Sequence, residues 1–157
     1  FFIKEQESIT YIATSKPRLN DPEWDQRINV HKKRRPDSWK LIEYPFDICN
    51  EIESIDKNEA ILIDSLGGLV EQNLIITDSE WESFQSKFII CLTKNNFGII
   101  VVSEEIGWGM VPATKSGHLF RERLSNLFSL LSLHSTQKWL AINGTAINLD
   151  QIGNLIP

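Results

Sequence analysis

Ala60-Ile-Leu-Ile-Asp64 and Gly98-Ile-Ile-Val-Val-Ser103 are unbroken aliphatic runs that each end on polar residues, and they constrain the fold more than any other feature. A strand with one wet face alternates apolar and polar residues, whereas a continuous run marks a strand of a parallel sheet covered by helices. Ser8–Ser15 and Trp39–Tyr44 add two further strands, the second stopped by Pro45. Helical spacing fills the intervals: Ile48, Ile52 and Ile55; Trp81, Phe84, Phe88 and Cys91 behind a Ser79-Glu-Trp-Glu82 capping box; and Lys115 to His134 with Phe120, Leu124, Leu127, Phe128 and Leu131. Gly67-Gly68 reads as a loop running into a short apolar stretch to Ile76, and Asn95-Asn96 as a turn. Lys138–Asn143 and Ala146–Leu149, across Gly144-Thr145, read as a terminal strand and hairpin. Alternating strand and helix predict an α/β domain with a mostly parallel sheet flanked by helices and a C-terminal hairpin. The 157 residues, 41% of them hydrophobic, suit one domain over 1–157. Ligands of such sheets lie beyond the carboxyl ends of the strands. Thr14-Ser15, Asp64-Ser65 and Ser103-Glu104-Glu105 fall at those ends and are expected to converge.

The chemistry concentrates in residues 21–36. Asp21 suits a helix N-cap, Pro22 its first turn and Glu23 its positive end. Trp24, Ile28 and His31 then fall at i, i+4 and i+7, which predicts His31 on the inward, apolar stripe. Arg27, Lys32, Lys33, Arg34 and Arg35 surround it, no acid occurs between Asp25 and Asp37, and Pro36 closes the helix. Positive surroundings favour a neutral, nucleophilic imidazole and neutralise phosphate oxygens, a combination suited to attack on a phosphoanhydride. The plainer reading of the same spacing is a solvated basic face with one buried histidine.

Net charge is −5, so this basic block is a local exception that fits a small anionic ligand better than a nucleic acid or a membrane. Cys49 and Cys91 read as buried free thiols of a reduced compartment, no run approaches the roughly 20 apolar residues of a bilayer span, and a cytoplasmic location is expected. Phe1 to Gln6 reads as the end of a helix begun upstream, so an N-terminal segment is expected to precede the chain. Asp64 follows three aliphatic residues, as does the acid that helps hold Mg²⁺ in a Walker-B strand, although a buried strand ending in Asp is common in its own right. Glu104 and Glu105 suit Mg²⁺ or a substrate hydroxyl. Gly107 and Gly109 permit close backbone approach, and Trp108 between them suits stacking on a ligand ring. His118 and His134 read as surface residues. Thr114-Lys-Ser-Gly117 lacks the order of a phosphate loop.

Tyr11-Ile-Ala-Thr14, Arg27-Ile28-x-x-His31-x-x-x-Arg35-Pro36, Asp64-Ser65-Leu66, and Glu105-Ile-Gly-Trp-Gly-Met-Val-Pro112 followed by Phe120-Arg121 together resemble the bifunctional adenosylcobinamide kinase/adenosylcobinamide-phosphate guanylyltransferase family of cobalamin biosynthesis. The resemblance spans about residues 8 to 149. It implies a P-loop NTPase-like (RecA-like) nucleotide-binding domain, usually a homotrimer, whose first strand and P-loop would lie upstream of Phe1. It also implies two Mg²⁺-dependent reactions with ATP or GTP. One phosphorylates adenosylcobinamide; the other passes GMP from GTP to adenosylcobinamide phosphate through a guanylylated histidine. His31 matches that histidine. Thr14, Ser15, Arg27, Lys32, Arg34, Arg35, Asp64 and Glu105 then fall to nucleotide and phosphate binding, with Asp64 at the metal. A P-loop kinase without a covalent nucleotide, and a degenerate nucleotide-binding subunit, are the alternatives.

Overall fold

The computed structural model describes residues 8–18, 20–94 and 98–154, apart from the side chain of Arg34. The helix end expected at Phe1 to Gln6 and the Asn95-Asn96 turn lie outside the described residues.

Strands β1 (Ile9–Ala13), β2 (Lys40–Glu43), β3 (Ala60–Asp64) and β4 (Ile99–Val102) form a four-stranded sheet in the order β2-β1-β3-β4, parallel at every pairing. Ala13 stands opposite Glu43 and Asp64, and Asp64 opposite Val102, so the carboxyl ends finish in one row with Asp64 near its centre. Between the strands run α1 (Pro22–Arg34), α2 (Ile48–Ser54), α3 (Leu66–Gln72) and α4 (Asp78–Thr93); α5 (Lys115–His134) follows β4. The chain steps one way from β1 to β2 and back across β1 to β3. Right-handed crossovers therefore put α1 on one face and α2, α3 and α4 on the other. The gap between β1 and β3 is the topological switch point, where such sheets take ligands.

The two faces are unequally covered. Ile12, Ile61 and Ile63 are buried against Ile48 and Ile52 of α2, Leu69 and Val70 of α3, Trp81 and Phe88 of α4, and Leu124 and Leu127 of α5. Tyr11, Leu41, Leu62, Ile100 and Val102 share the opposite face, where Leu41 and Val102 remain 39% exposed. That face is buried at Ile9 and Ala60 and left partly open on the edge strands, at Leu41 of β2 and Val102 of β4.

Local chemistry corrects two boundaries. The Gly67-Gly68 segment is the first turn of α3, not a loop. A Cβ on Gly68 would lie 2.2 Å from Thr14 Oγ1 and 2.7 Å from the Thr14 carbonyl carbon, so these glycines let α3 pack directly onto the end of β1. The capping box of α4 is Thr77 with Glu80: Thr77 N–H donates to Glu80 Oε2 at 2.8 Å and Glu80 N–H to Thr77 Oγ1 at 3.3 Å. Starting two residues earlier puts Asp78 and Glu80 in the first turn, where the helix dipole favours them. Buried Arg123 of α5 fastens this junction by donating to the carbonyls of Asn73 at 2.6 Å and Ile76 at 3.0 Å. Beyond α5, β5 (Trp139–Ile142) and β6 (Thr145–Asn148) form an antiparallel hairpin, followed by α6 (Leu149–Ile152). Asn143 and Gly144 turn it with φ of 48° and 76°, the left-handed pair that matches strand twist. Among the described residues no helix is long and apolar enough to cross a membrane.

Candidate functional site

Thr14 anchors the switch point. It is fully buried, its hydroxyl donates to the Ser65 carbonyl at 2.6 Å, and it accepts the Ser65 N–H at 2.8 Å. Gln72 of α3 donates to the Thr14 carbonyl at 2.8 Å. With its hydroxyl consumed in this way, Thr14 fixes the loop after β3 instead of presenting itself to phosphate. The adjacent Ser15 is half-buried. Ser65 in turn donates from Oγ to Glu104, whose other oxygen accepts the Gly67 N–H at 3.0 Å. The ends of β1, β3 and β4 are therefore tied together through Thr14, Ser65 and Glu104, which is the convergence the sequence predicts.

Asp64 is half-buried in this row. The Tyr11 hydroxyl donates to its Oδ2, since both side chains project from the same sheet face. Burial and the Asp64 carboxylate push the Tyr11 phenol well above its ordinary 10.0. The Arg35 guanidinium lies over the Tyr11 ring, 3.9 Å from its centroid, and Trp39 stacks on the same ring at 6.4 Å. Arg35 is the C-cap of α1, so one aromatic ring joins the end of the basic helix to the acid of β3. In the sequence Tyr11 is one position of a Tyr-Ile-Ala-Thr motif with no chemistry of its own to mark it. Its signal was the two-residue spacing that puts it on the Asp64 face once β1 and β3 are paired.

His31 departs from expectation. No described residue of α1 is buried, and His31 is exposed to solvent along with Arg27, Lys32 and Lys33. The amphipathic stripe is shallow: Trp24 and Ile28 are half-buried, and Val30 is 42% exposed. The imidazole is therefore neither inward-facing nor sealed in a core. It stands one turn before Arg35. The cations around it hold separate seats. Lys32 pairs with Glu43 of β2 at 3.2 Å, and the guanidinium groups of Arg18 and Arg27 lie 4.7 and 5.8 Å from the Trp24 ring centroid. The Arg34 side chain lies outside the described residues.

Beyond β4, a cavity of about 160 Å³ opens between the 104–107 loop and α5, lined by Glu104, Glu105, Ile106, Gly107, Arg121, Leu124, Ser125 and Phe128. Glu105 accepts the Gly107 N–H at 2.7 Å, and Arg121 donates to the Gly107 carbonyl at 3.4 Å. Glu105 thus sits on the β4 side of Asp64, whereas Arg35 and His31 sit on the β2 side. Trp108 is 71% exposed beside the cavity and does not line it. His118 and His134 are exposed, as expected, and Thr114 caps α5 by accepting the Gly117 N–H at 3.1 Å. Among the described residues no group of three or more His, Cys, Asp or Glu is placed to hold a metal ion.

A family model described as cobinamide kinase / cobinamide phosphate guanyltransferase matches residues 1–149. The "Bifunctional adenosylcobalamin biosynthesis protein CobU" of Escherichia coli K12 is 24% identical over 164 residues, covering 94% of this chain and 88% of that protein. Its Salmonella typhimurium counterpart is 23% identical with the same coverage of both chains. The "Bifunctional adenosylcobalamin biosynthesis protein CobP" of Pseudomonas aeruginosa is 32% identical over 108 residues, 67% of this chain and 61% of that protein.

Proposed function

We propose, from the premise that the chain belongs to the cobinamide kinase / cobinamide phosphate guanyltransferase family, that His31 is the residue that carries GMP between its two substrates. The protein is a bifunctional cobinamide kinase and cobinamide-phosphate guanylyltransferase of adenosylcobalamin biosynthesis. In the guanylyl half, a neutral imidazole nitrogen of His31 attacks the α-phosphorus of GTP. The N–P bond forms as the α–β anhydride bond breaks, and pyrophosphate leaves with the electron pair. An oxygen of the corrinoid phosphate then attacks the same phosphorus, which breaks the N–P bond, frees the imidazole and leaves a diphosphate link to guanosine. The observation that carries this reading is the placement of His31: solvent-accessible, one turn from Arg35, on a helix whose end is tied through Tyr11 to Asp64. Both substrates must reach the same nitrogen in turn, which a buried imidazole would not allow.

Arg35 and Lys32 neutralise phosphate oxygens in this scheme, with Arg27, Arg34 and Ser15 at its margin. Mg²⁺, when bound, screens the charge of the leaving phosphates. Asp64 suits it because Tyr11 engages one of its oxygens, and Mg²⁺ typically takes one or two carboxylates with the remaining sites filled by phosphate and water. The kinase half moves the γ-phosphoryl group of ATP or GTP onto the cobinamide hydroxyl, with Glu105 at the β4 end positioned for the nucleotide or the hydroxyl. That half calls for a glycine loop that cradles phosphate. The 1–157 domain then acts in the cytoplasm as the nucleotide-binding unit of a homotrimer. Exposed apolar residues on α5, among them Phe128, Leu130 and Leu133, support association.

Incubating the protein with α-labelled GTP and Mg²⁺ should attach one GMP, stable to base and labile to acid. The label should be absent in His31→Ala, which should still bind GTP. Wild-type protein that transfers GMP to the corrinoid but never carries label would overturn the covalent route. A non-covalent kinase would lose nothing in His31→Ala, and a degenerate subunit would bind nucleotide without turning over any corrinoid.

A further inference from the structure

The cavity beyond β4 joins features that seldom serve one purpose. Arg121 lines it, and its Nη1 is buried with no hydrogen-bond partner among the described residues. A buried guanidinium N–H left unpaired is costly, so this atom calls for an acceptor. Opposite stand two carboxylates. Glu104 already spends both oxygens, on Ser65 Oγ and the Gly67 N–H, whereas Glu105 is held through Oε1 alone, by the Gly107 N–H at 2.7 Å. Ile106, Leu124 and Phe128 supply the apolar walls.

This lining excludes most ligand classes. Two carboxylates repel a phosphate, and a guanidinium repels a metal ion. A purely apolar group would leave Arg121 Nη1 unsatisfied. What remains is a neutral, flat group that offers a carbonyl oxygen to Arg121 and, beside it, an N–H to Glu105. A lone cation would serve only the carboxylate and a lone carbonyl only the arginine. We propose that this cavity is a binding subsite for such an amide-type edge, with Arg121 as acceptor-binding and Glu105 as donor-binding residue. The proposal rests on the reading that the protein handles a guanine nucleotide and an amide-bearing corrinoid, because both present this edge. Guanine carries a ring N–H beside its carbonyl, and a primary carboxamide carries N–H beside C=O. The volume of about 160 Å³ admits either, with the flat face against Phe128.

Steady-state GMP transfer to adenosylcobinamide phosphate tests this in the full-length protein, with GTP varied in one series and the corrinoid in the other. Both KM values exist whether or not His31 carries the nucleotide, so failure of the covalent route leaves the test intact. Arg121→Gln should raise one KM by roughly tenfold, the loss expected for a charge-assisted hydrogen bond, with kcat within about twofold, and Glu105→Gln should raise the same KM. A rise confined to GTP, with weakened preference for GTP over ATP, assigns guanine. A rise confined to the corrinoid assigns a carboxamide arm. Ser125→Trp, a substitution at an exposed α5 position one turn from Arg121 that adds bulk to the cavity while keeping both charged groups, should raise the same KM. Folded variants whose KM values both stay within twofold of wild type, or which lose kcat alone, would overturn the proposal.

Discussion

Removing the Tyr11 hydroxyl isolates the link between the basic helix and the acid of β3. Tyr11→Phe keeps the ring on which Arg35 and Trp39 rest, and deletes the hydroxyl that donates to Asp64 Oδ2 and interacts more weakly with Arg35. A hydrogen bond to a charged partner contributes about 1.5–3 kcal/mol, and the half-buried setting of Tyr11 points to the lower end, about 1.5 kcal/mol. In a chain of this size that corresponds to a fall in Tm of roughly 4 °C. Urea unfolding of Tyr11→Phe, Asp64→Ala and the double variant should give a coupling energy of about 1.5 kcal/mol. The matching cycle of Tyr11→Phe with Arg35→Ala should give a smaller coupling, because phenylalanine keeps the cation–π seat and only the weaker hydroxyl–guanidinium interaction is lost. With Tyr11→Leu and Arg35→Ala the coupling should rise to about 1 kcal/mol. A Tyr11–Asp64 coupling below about 0.5 kcal/mol would refute the reasoning. The pH dependence supplies a second check. Because the phenol is raised above its ordinary 10.0, the folded state holds its proton more tightly than the unfolded chain does. The stabilisation is complete below that value and fades as pH rises past it. Tyr11→Phe should lose this alkaline slope, and ultraviolet titration of wild type should find one phenol that resists ionisation until unfolding.

Two further outcomes follow from buried groups elsewhere. Glu59, buried at the amino-terminal end of the sheet, accepts hydrogen bonds from Lys40, from Thr10 at 2.8 Å and from Ser8 at 2.8 Å, and these hold its carboxyl below the ordinary 4.5. A depressed carboxyl stabilises above its unfolded value and loses that contribution as pH falls through the folded one. Glu59→Gln should therefore cost about 1–3 kcal/mol at pH 7 and flatten the acid limb of the urea stability profile, and acid slopes identical to wild type would contradict this assignment. The Cys49 thiol is pushed up to about 12 by burial and by neighbouring Cys91, which burial raises in turn. Neither should react with Ellman's reagent at pH 8 in native protein, and both should react in denaturant; rapid native modification would show that α2 and α4 open readily.

The parts of this fold legible from sequence were those set by long local patterns. β3 and α5 fall where the aliphatic run and the helical spacing put them, because each carries its own period and its own end signals. The start of α3 was misread because two adjacent glycines signal a turn locally, and only the third dimension shows Thr14 and Glu104 occupying the space their side chains would need. Of the site, Asp64, Glu104 and Glu105 were legible as strand-end acids. Tyr11 and Arg121 carry no such signal, since each gains its contacts from an element distant in sequence: Tyr11 from β3, Arg121 from the loop after β4. His31 shows the opposite error. Helical spacing correctly put it on the side of Trp24 and Ile28, but spacing does not say how deeply a stripe is covered, and here nothing described covers it fully.

That shallow seating changes what the basic block means. Counted along the sequence, the cations make a single positive field; in the folded protein Arg27, Lys32 and Arg35 each have a partner, and Lys33 is exposed to solvent. Recruiting one to a phosphate yields only the difference between the new interaction and the old. Lys32 gives up an exposed ion pair with Glu43, worth about 0–1 kcal/mol, and is cheap to redirect. Arg35 gives up a guanidinium–ring contact at 3.9 Å, which is worth up to about 2 kcal/mol where water is excluded. Arg35 is therefore the cation best kept in place, contacting phosphate from its seat on Tyr11, while Lys32 is free to turn toward the nucleotide. On the proposed covalent route this division of labour would suit a nucleophile that receives GMP from one substrate and releases it to another, with Arg35 held on Tyr11 and Lys32 adjusting as the phosphates change.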